Sequence, residues 1–384
     1  MNSLEQLLHY PLGDAMPAQG ETMVVAQGQG SGLTPAVKWI RMALPFALDH
    51  INLWLLRDEI DGRPGWTVVD CCITRDESKS QWEQIFATQL EGLPVLRVIV
   101  THMHPDHIGL AHWLCKRWDA PLWISATDFN AAHTASHHTS GFGGEGAANF
   151  FAAHGLLDTE AITKIRGRAT YYPSMVPDIP PSFRRLQDGD RLRIGGRDWR
   201  CISGYGHAPE HIALYCEQIT LPPTAPAPPA PQGGAPDLGA ARRSGGLLIS
   251  GDMMLPRIST NVSVYYIEPE SDPLRLFLES IDKFARLPPD TLTLPSHGKP
   301  FQGLHERIRQ LHEHHRERLA EVEQACASAP QSAADMLPVL FKRKLDLHQT
   351  TFAMGESVAH LHALWFAGKV RRQRGDDGVY RFAS

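Results

Sequence analysis

The stretch Thr101-His102-Met103-His104-Pro105-Asp106-His107-Ile108-Gly109 constrains this chain more than any other feature. Three imidazoles and one carboxylate fall within six consecutive positions, directly after the run Val95-Leu96-Arg97-Val98-Ile99-Val100. That run is rich in β-branched residues and bounded by Pro94, which reads as a short buried strand. Pro105 and Gly109 keep the segment between strand and helix irregular, and a helix resumes over 110–118. A strand that stops abruptly can fan its next side chains out at the edge of a sheet. Neutral imidazole suits zinc, and a carboxylate adds charge and a hard oxygen. His102 and His104, two apart, can pinch one ion; Asp106 and His107 point onward to a second. The competing reading is a polar surface loop in a chain with 20 histidines. The placement behind a buried strand argues against it.

Further strands are expected at 36–42, 51–57, 66–70 and 121–125, with a helix over 81–90. Strand and helix alternate as in an α/β protein. Residues 1–34 read as a loosely patterned lead-in with turns at Gly20, Gly28, Gly30 and Gly32. Residues 126–182 break the rhythm. They carry His133, His137 and His138, a cluster of glycines and two helical patches, and read as a helical cap whose histidines sit in solvent on helix surfaces rather than touch substrate. Strands return at 183–186, 191–194 and 199–203. Residues 219–246, dominated by Pro, Ala and Gly, cannot bury a core and read as an extended loop inside a hairpin. Two later apolar strands end in Ser250-Gly251-Asp252 and Pro295-Ser296-His297, with an amphipathic helix over 273–287 between them.

His102, His104, Asp106 and His107 match the pattern H-x-H-x-D-H residue for residue, and in this the chain resembles the metallo-β-lactamase superfamily. The resemblance implies a four-layer αββα sandwich and a dinuclear site holding two zinc ions, with iron or manganese compatible with one position. It assigns His102, His104 and His207 to the first ion and Asp106, His107 and His297 to the second. On the same resemblance Asp252 would bridge them. His207 follows the turn Gly204-Tyr205-Gly206; Ala208 stands where the family more often has Thr or Ser. Asp70 resembles the aspartate that supports the metal loop from behind, although Asp70-Cys71-Cys72 replaces the usual Asp-x-Gly. Asp252 stands where antibiotic-cleaving members often carry cysteine, which leans away from a true β-lactamase. His211 is read as a structural hydrogen-bonding residue rather than a ligand. Lys299 could meet a substrate carboxylate.

On this reading residues 1–303 form the catalytic domain, with the 126–182 cap and the 219–246 loop as insertions. Residues 304–384 form a small C-terminal domain. Its long helix over 304–325 carries His312, His314 and His315, expected to be solvated. Two more helices and a hairpin follow, resembling the winged-helix segment of a branch that includes lactamase-like endoribonucleases and fungal acyl-carrier-protein thioesterases. A hydroxide shared by the two metals, oriented by Asp106, would attack a small acyl thioester or ester. A single-strand endoribonuclease is the alternative. Net charge of −5, and a tail with 12 Lys+Arg against 10 Asp+Glu, disfavour nucleic acid as a partner. The tail would instead shape the cleft or form a homodimer. Six cysteines without C-x-x-C spacing, no leader pattern and no run approaching ~20 apolar residues suggest a reduced, cytoplasmic chain away from the membrane.

Overall fold

A computed structural model describes residues 5–27, 35–137, 143–220 and 244–384. His138, the turns placed at Gly28, Gly30 and Gly32, and residues 221–243 of the Pro/Ala/Gly-rich loop lie outside them.

The first half of the chain contributes β1 (Met23–Gln27), β2 (Pro35–Ala43), β3 (His50–Ile60), β4 (Arg63–Val69), β5 (Val95–Ile99), β6 (Leu122–Ser125) and β7 (Phe183–Leu186), hydrogen-bonded in that order. The second half contributes β8 (Arg191–Ile194), β9 (Arg197–Gly204), β10 (His211–Thr220), β11 (Ser244–Gly251) and β12 (Leu292–Pro295), with β10 between β9 and β11. The halves join where Gln27 on β1 pairs with Thr220 on β10. One narrow junction lets the 12-stranded sheet fold back on itself.

Period-two alternation decides what each strand faces. On β3, Ile51, Leu53 and Leu55 pack outward, whereas Trp54 and Leu56 pack towards the opposite half. On β10, Ile212, Leu214 and Cys216 point inward and Ala213 and Tyr215 outward. The inner faces share one core, in which Trp39 and Trp54 stack at 6.1 Å. The outer face of the first half is covered by α1 (Asp76–Thr88), α3 (Ala111–Trp118) and α4 (Ala126–His137), the last two following α2 (Pro105–Ile108). The other outer face is covered by α5 (Gly144–Ala153), α6 (Thr159–Arg166) and, after the short α7 (Tyr171–Met175), by α8 (Pro273–Asp282), α9 (Leu304–Ser328), α10 (Ala333–Leu340) and α11 (Leu347–Phe366). The result is a four-layer α/β/β/α sandwich with three apolar cores. Each fully buried Leu, Ile or Phe contributes roughly 1.5–3 kcal/mol to it.

The chain closes with an antiparallel hairpin of β13 (Arg371–Arg374) and β14 (Tyr380–Ala383), tied to the end of α9 by the Gln331–Phe382 bridge. Both α10 and α11 begin with reciprocal caps, Ser332 with Asp335 and Asp346 with Gln349. Gly355 lets α11 approach the catalytic layers closely: a Cβ there would sit 2.6 Å from Ser263 Cβ. No helix among the described residues is long and apolar enough to cross a membrane.

Three local expectations are corrected. The lead-in contains β1, too short to stand out in sequence, which forms because it bridges β2 to β10. The helix expected at 81–90 begins at Asp76, where Asp76 and Glu77 complement the positive helix end. His315 is buried rather than solvated, its Nδ1 3.4 Å from His360 Nε2. His133 and His137 lie exposed on α4, His137 Nδ1 donating to the His133 carbonyl oxygen at 2.8 Å.

Candidate metal centre

Strand β5 ends at Ile99 and delivers the His-rich loop to the edge of the sheet. Asp70, at the end of β4, fixes that loop. Its carboxylate accepts hydrogen bonds from Thr101 N (2.8 Å), Thr101 Oγ (2.9 Å) and His107 Nδ1 (2.8 Å). The turn that follows uses left-handed backbone at Asp70 (φ 63°) and Cys72 (φ 69°). Cys72 therefore adopts the conformation that glycine takes freely, at a cost of roughly 1–2 kcal/mol. The turn is held to the loop by Cys71 N to His107 O and Leu110 N to Cys72 O.

The remaining donors arrive on other strand ends. His207 follows β9, Asp252 follows β11 and His297 follows β12. His207 Nδ1 donates to the Asn261 carbonyl at 2.7 Å, and His297 Nδ1 to the His50 carbonyl at 2.7 Å. Fixing Nδ1–H in this way turns each Nε2 lone pair inward. Two groups of donor atoms result: His102, His104, His207 and Asp252, and Asp106, His107 and His297, each set lying within 4.8 Å. Asp252 faces both. Its Oδ2 is 3.3 Å from His207 Nε2, and its Oδ1 is 3.5 Å from His107 Nε2 and 3.4 Å from His297 Nε2.

These residues fit a metal. His102 Nε2 is 2.9 Å from His104 Nδ1 and 3.2 Å from His207 Nε2. Ligands about 2.0–2.1 Å from a tetrahedral zinc stand roughly 3.3 Å from one another. Facing lone pairs at such spacing repel unless a cation lies between them. Burial and the neighbouring imidazoles push His102 well down; burial, then His207, brings His104 to about 3. Both are neutral donors at physiological pH. At His107 and His297 burial acts downward but nearby carboxylates prevail, raising His297 to about 10. A metal entering there displaces protons, so uptake weakens with acidity.

Two family descriptions match the chain: "Metallo-beta-lactamase superfamily" over residues 48–218 and "Metallo-beta-lactamase-like, C-terminal domain" over residues 319–384. The crystal structure of a beta-lactamase domain protein from Burkholderia ambifaria is 49% identical, covers 100% of this chain and 99% of its own, and superposes with a TM-score of 0.86. The chain belongs to the metallo-β-lactamase superfamily. A superfamily protein of known structure from Thermus thermophilus is 25% identical over 92% of this chain and 99% of its own, with a TM-score of 0.67. A probable metallo-hydrolase of Bacillus subtilis, YqjP, is 22% identical over 85% of this chain and 91% of that protein.

Within this superfamily fold, His211 is buried behind the donors and its Nε2 accepts from Asp252 N at 3.2 Å. The contact is close because residue 251 is glycine at φ 53°; a Cβ there would fall 2.0 Å from His211 Nε2. Lys299 is placed elsewhere than expected. Its Nζ pairs with Asp14 at 2.6 Å, drawn off by an exposed carboxylate, and it does not line the cavity over the donors.

Several supporting residues escape sequence reasoning. Asp128, fully buried, accepts from Met103 N (2.8 Å) and Glu210 N (2.6 Å), clamping the His102–His107 loop to the one carrying His207. Burial pushes its carboxyl up to about 6. Its only sequence signal is Ser125-x-x-Asp128 at the end of a strand. Asn52 likewise donates to the carbonyls of Pro295 and Gly298, bracketing His297. Asp128→Ala is expected to weaken metal affinity by roughly 10–100-fold, the range for outer partners of ligands. Metal titration of the stripped protein checks this; affinity matching the parent would show that the clamp does not position the donors.

The donors lie at the floor of a cavity of about 360 Å³. Leu44, Phe46 and Leu48 from the β2–β3 loop form one wall, and Tyr171 and Met175 of α7 another. The C-terminal domain supplies Phe341, Leu345, His348 and Phe352. Glu356 also reaches the cavity, where burial pushes its carboxyl up to about 7 and Asn261 Nδ2 lies 3.4 Å away.

Proposed function

We propose that this chain is a dinuclear metallohydrolase, with two zinc ions per chain, acting on a small acyl thioester or ester. The observation that carries the reading is the pair of donor groups sharing Asp252 beneath a largely apolar cavity. His102, His104 and His207 would hold one ion, Asp106, His107 and His297 the other, with Asp252 common to both. Bound there, divalent metals supply Lewis acidity and an activated water at neutral pH. The chain does the rest. Asp106 opens on the cavity, and its Oδ2, 3.4 Å from His297 Nε2, can accept a proton of the attacking water and orient it. Phe46, Leu48, Phe341 and Phe352 exclude bulk water and strengthen every charge interaction at the floor.

The same cavity disfavours the nuclease alternative, since among the described residues Arg343 is the only Lys or Arg lining it, far short of the positively charged groove that tracks a strand. In the terminal hairpin, Arg372 is paired with Glu270 and stacked 3.9 Å over Trp365, so its charge is already engaged. We take the C-terminal helices and hairpin as a specificity wall.

Metal analysis of the purified protein, paired with hydrolysis assays on acyl thioesters, acyl esters and a labelled single-stranded RNA, tests this. The expected result is about two zinc ions per chain, acyl hydrolysis abolished by chelation, and inert RNA. Metal-dependent RNA cleavage with no acyl hydrolysis would overturn it.

A further inference from the structure

One wall of the cavity carries a polar constellation that the hydrolytic step does not use. Tyr171 of α7 and His348, in the first turn of α11, both line it. Arg168 stands behind them. Its Nη2 is 3.2 Å from His348 Nδ1, and its guanidinium carbon lies 3.9 Å from the centre of the Tyr171 ring. The Tyr171 hydroxyl is 3.3 Å from the same Nδ1.

The donor inventory fixes the protons. A guanidinium only donates, so His348 Nδ1 accepts from it; the ring is then neutral and carries its proton on Nε2. Burial and the charge of Arg168 both hold this imidazole down, in keeping with a neutral ring. Phe46, stacked at 5.4 Å, and Phe352, edge-on at 4.9 Å, clamp the ring in place. Because the single lone pair of His348 Nδ1 is taken by Arg168, the Tyr171 hydroxyl beside it keeps its O–H to donate elsewhere. Two donors on a cavity wall are thus backed by a positive charge.

Among the described residues no carboxylate lies within ion-pair distance of Arg168, and its Nη1 is buried without a hydrogen-bond partner. A half-buried guanidinium in this state is costly, and an anion delivered from the cavity would offset the cost. We infer that Arg168, His348 and Tyr171 form an anion subsite, so that the substrate is an acyl ester or thioester bearing a carboxylate or phosphate away from its scissile bond. The inference rests on the hydrolase reading above and adds what the cavity recognises besides an acyl group.

Calorimetric titration of the metal-loaded protein with glutarate, 4-phosphonobutanoate and pentanoate tests it. The three acids share one carboxylate, and only the first two carry a second anionic group. The expected result is that a dianion binds roughly 10–100-fold more tightly than pentanoate, the range for hydrogen bonds to charged groups. The ranking of glutarate against the phosphonate tells which anion is read. In Arg168→Met the preference should fall to within about twofold of unity. In Tyr171→Phe, a milder change that keeps the ring on Arg168 should the first variant misfold, it should fall several-fold. Equal binding of all three acids would overturn the subsite. So would a preference that persists in the variants, which would move recognition to exposed Arg343 at the cavity mouth. An Arg168-dependent preference in a protein that hydrolyses no ester or thioester would leave the subsite standing and sink the hydrolase reading instead.

Discussion

Asp252→Ala is expected to lower turnover by more than about a hundredfold, beyond the range by which outer partners of metal ligands act. It should also leave the protein with fewer than two metal ions per chain. Asp252 presents its two oxygens to different donor groups, with His207 on one side and His107 and His297 on the other. Its removal therefore weakens both positions, whereas His104→Ala strips a donor from one group only. The fold should survive. Asp252 sits past the end of β11 and its backbone N–H keeps its bond to His211 Nε2. Elemental analysis, turnover and circular dichroism on one preparation check this together. Two retained metals with parental turnover would sink the bridging assignment; a lost circular dichroism signal would mean that the carboxylate serves the fold first.

Much of this site is legible in sequence because the donors obey local rules. His102, His104, Asp106 and His107 lie within six positions after an apolar strand, and His207, Asp252 and His297 each end a strand of their own. What local patterns cannot show is which distant segments meet. Asp128 reads as an ordinary polar residue early in a helix until Met103 and Glu210, on two other loops, turn their N–H groups to it. Gly355 reads as a weak point in a helix, yet it is what lets α11 close on Ser263 and bring Glu356 beside Asn261. Lys299 shows the converse. Its place after His297-Gly298 suggests a substrate contact, but a nearer carboxylate, Asp14, claims its ammonium group. The left-handed Cys72 shows in sequence only as a departure from the usual glycine, because its conformation is imposed by the loop it holds and not preferred by its residue type.

The same limit governs the largest expected change in stability, Asp58→Ala. Arg97 interrupts the apolar strand β5 that delivers the metal loop, and both it and Asp58 are almost wholly buried. Asp58 Oδ2 accepts from Arg97 Nη2 (2.6 Å), Arg97 Nε (3.0 Å) and Thr67 Oγ (2.6 Å), while Oδ1 accepts from Glu59 N (2.8 Å) and Gly195 N (3.0 Å). Arg97 Nη2 also donates to the Arg193 carbonyl at 2.8 Å. One ion pair thus ties β3, β4 and β5 to the turn between β8 and β9, across the two halves of the sandwich. Removing the carboxylate strands a buried guanidinium and two backbone N–H groups, which should cost roughly 3–5 kcal/mol. Replacing both partners tests whether the loss comes from the stranded charge or from the attraction itself. If desolvation dominates, Asp58→Ala with Arg97→Met should be more stable than Asp58→Ala alone, because no uncompensated charge remains. Urea unfolding of the parent, the two single variants and the double variant gives the coupling directly. A loss below about 1 kcal/mol in Asp58→Ala would mean that water or a rearranged Arg97 satisfies the charge, and that the halves of the sandwich are held by their shared apolar core alone.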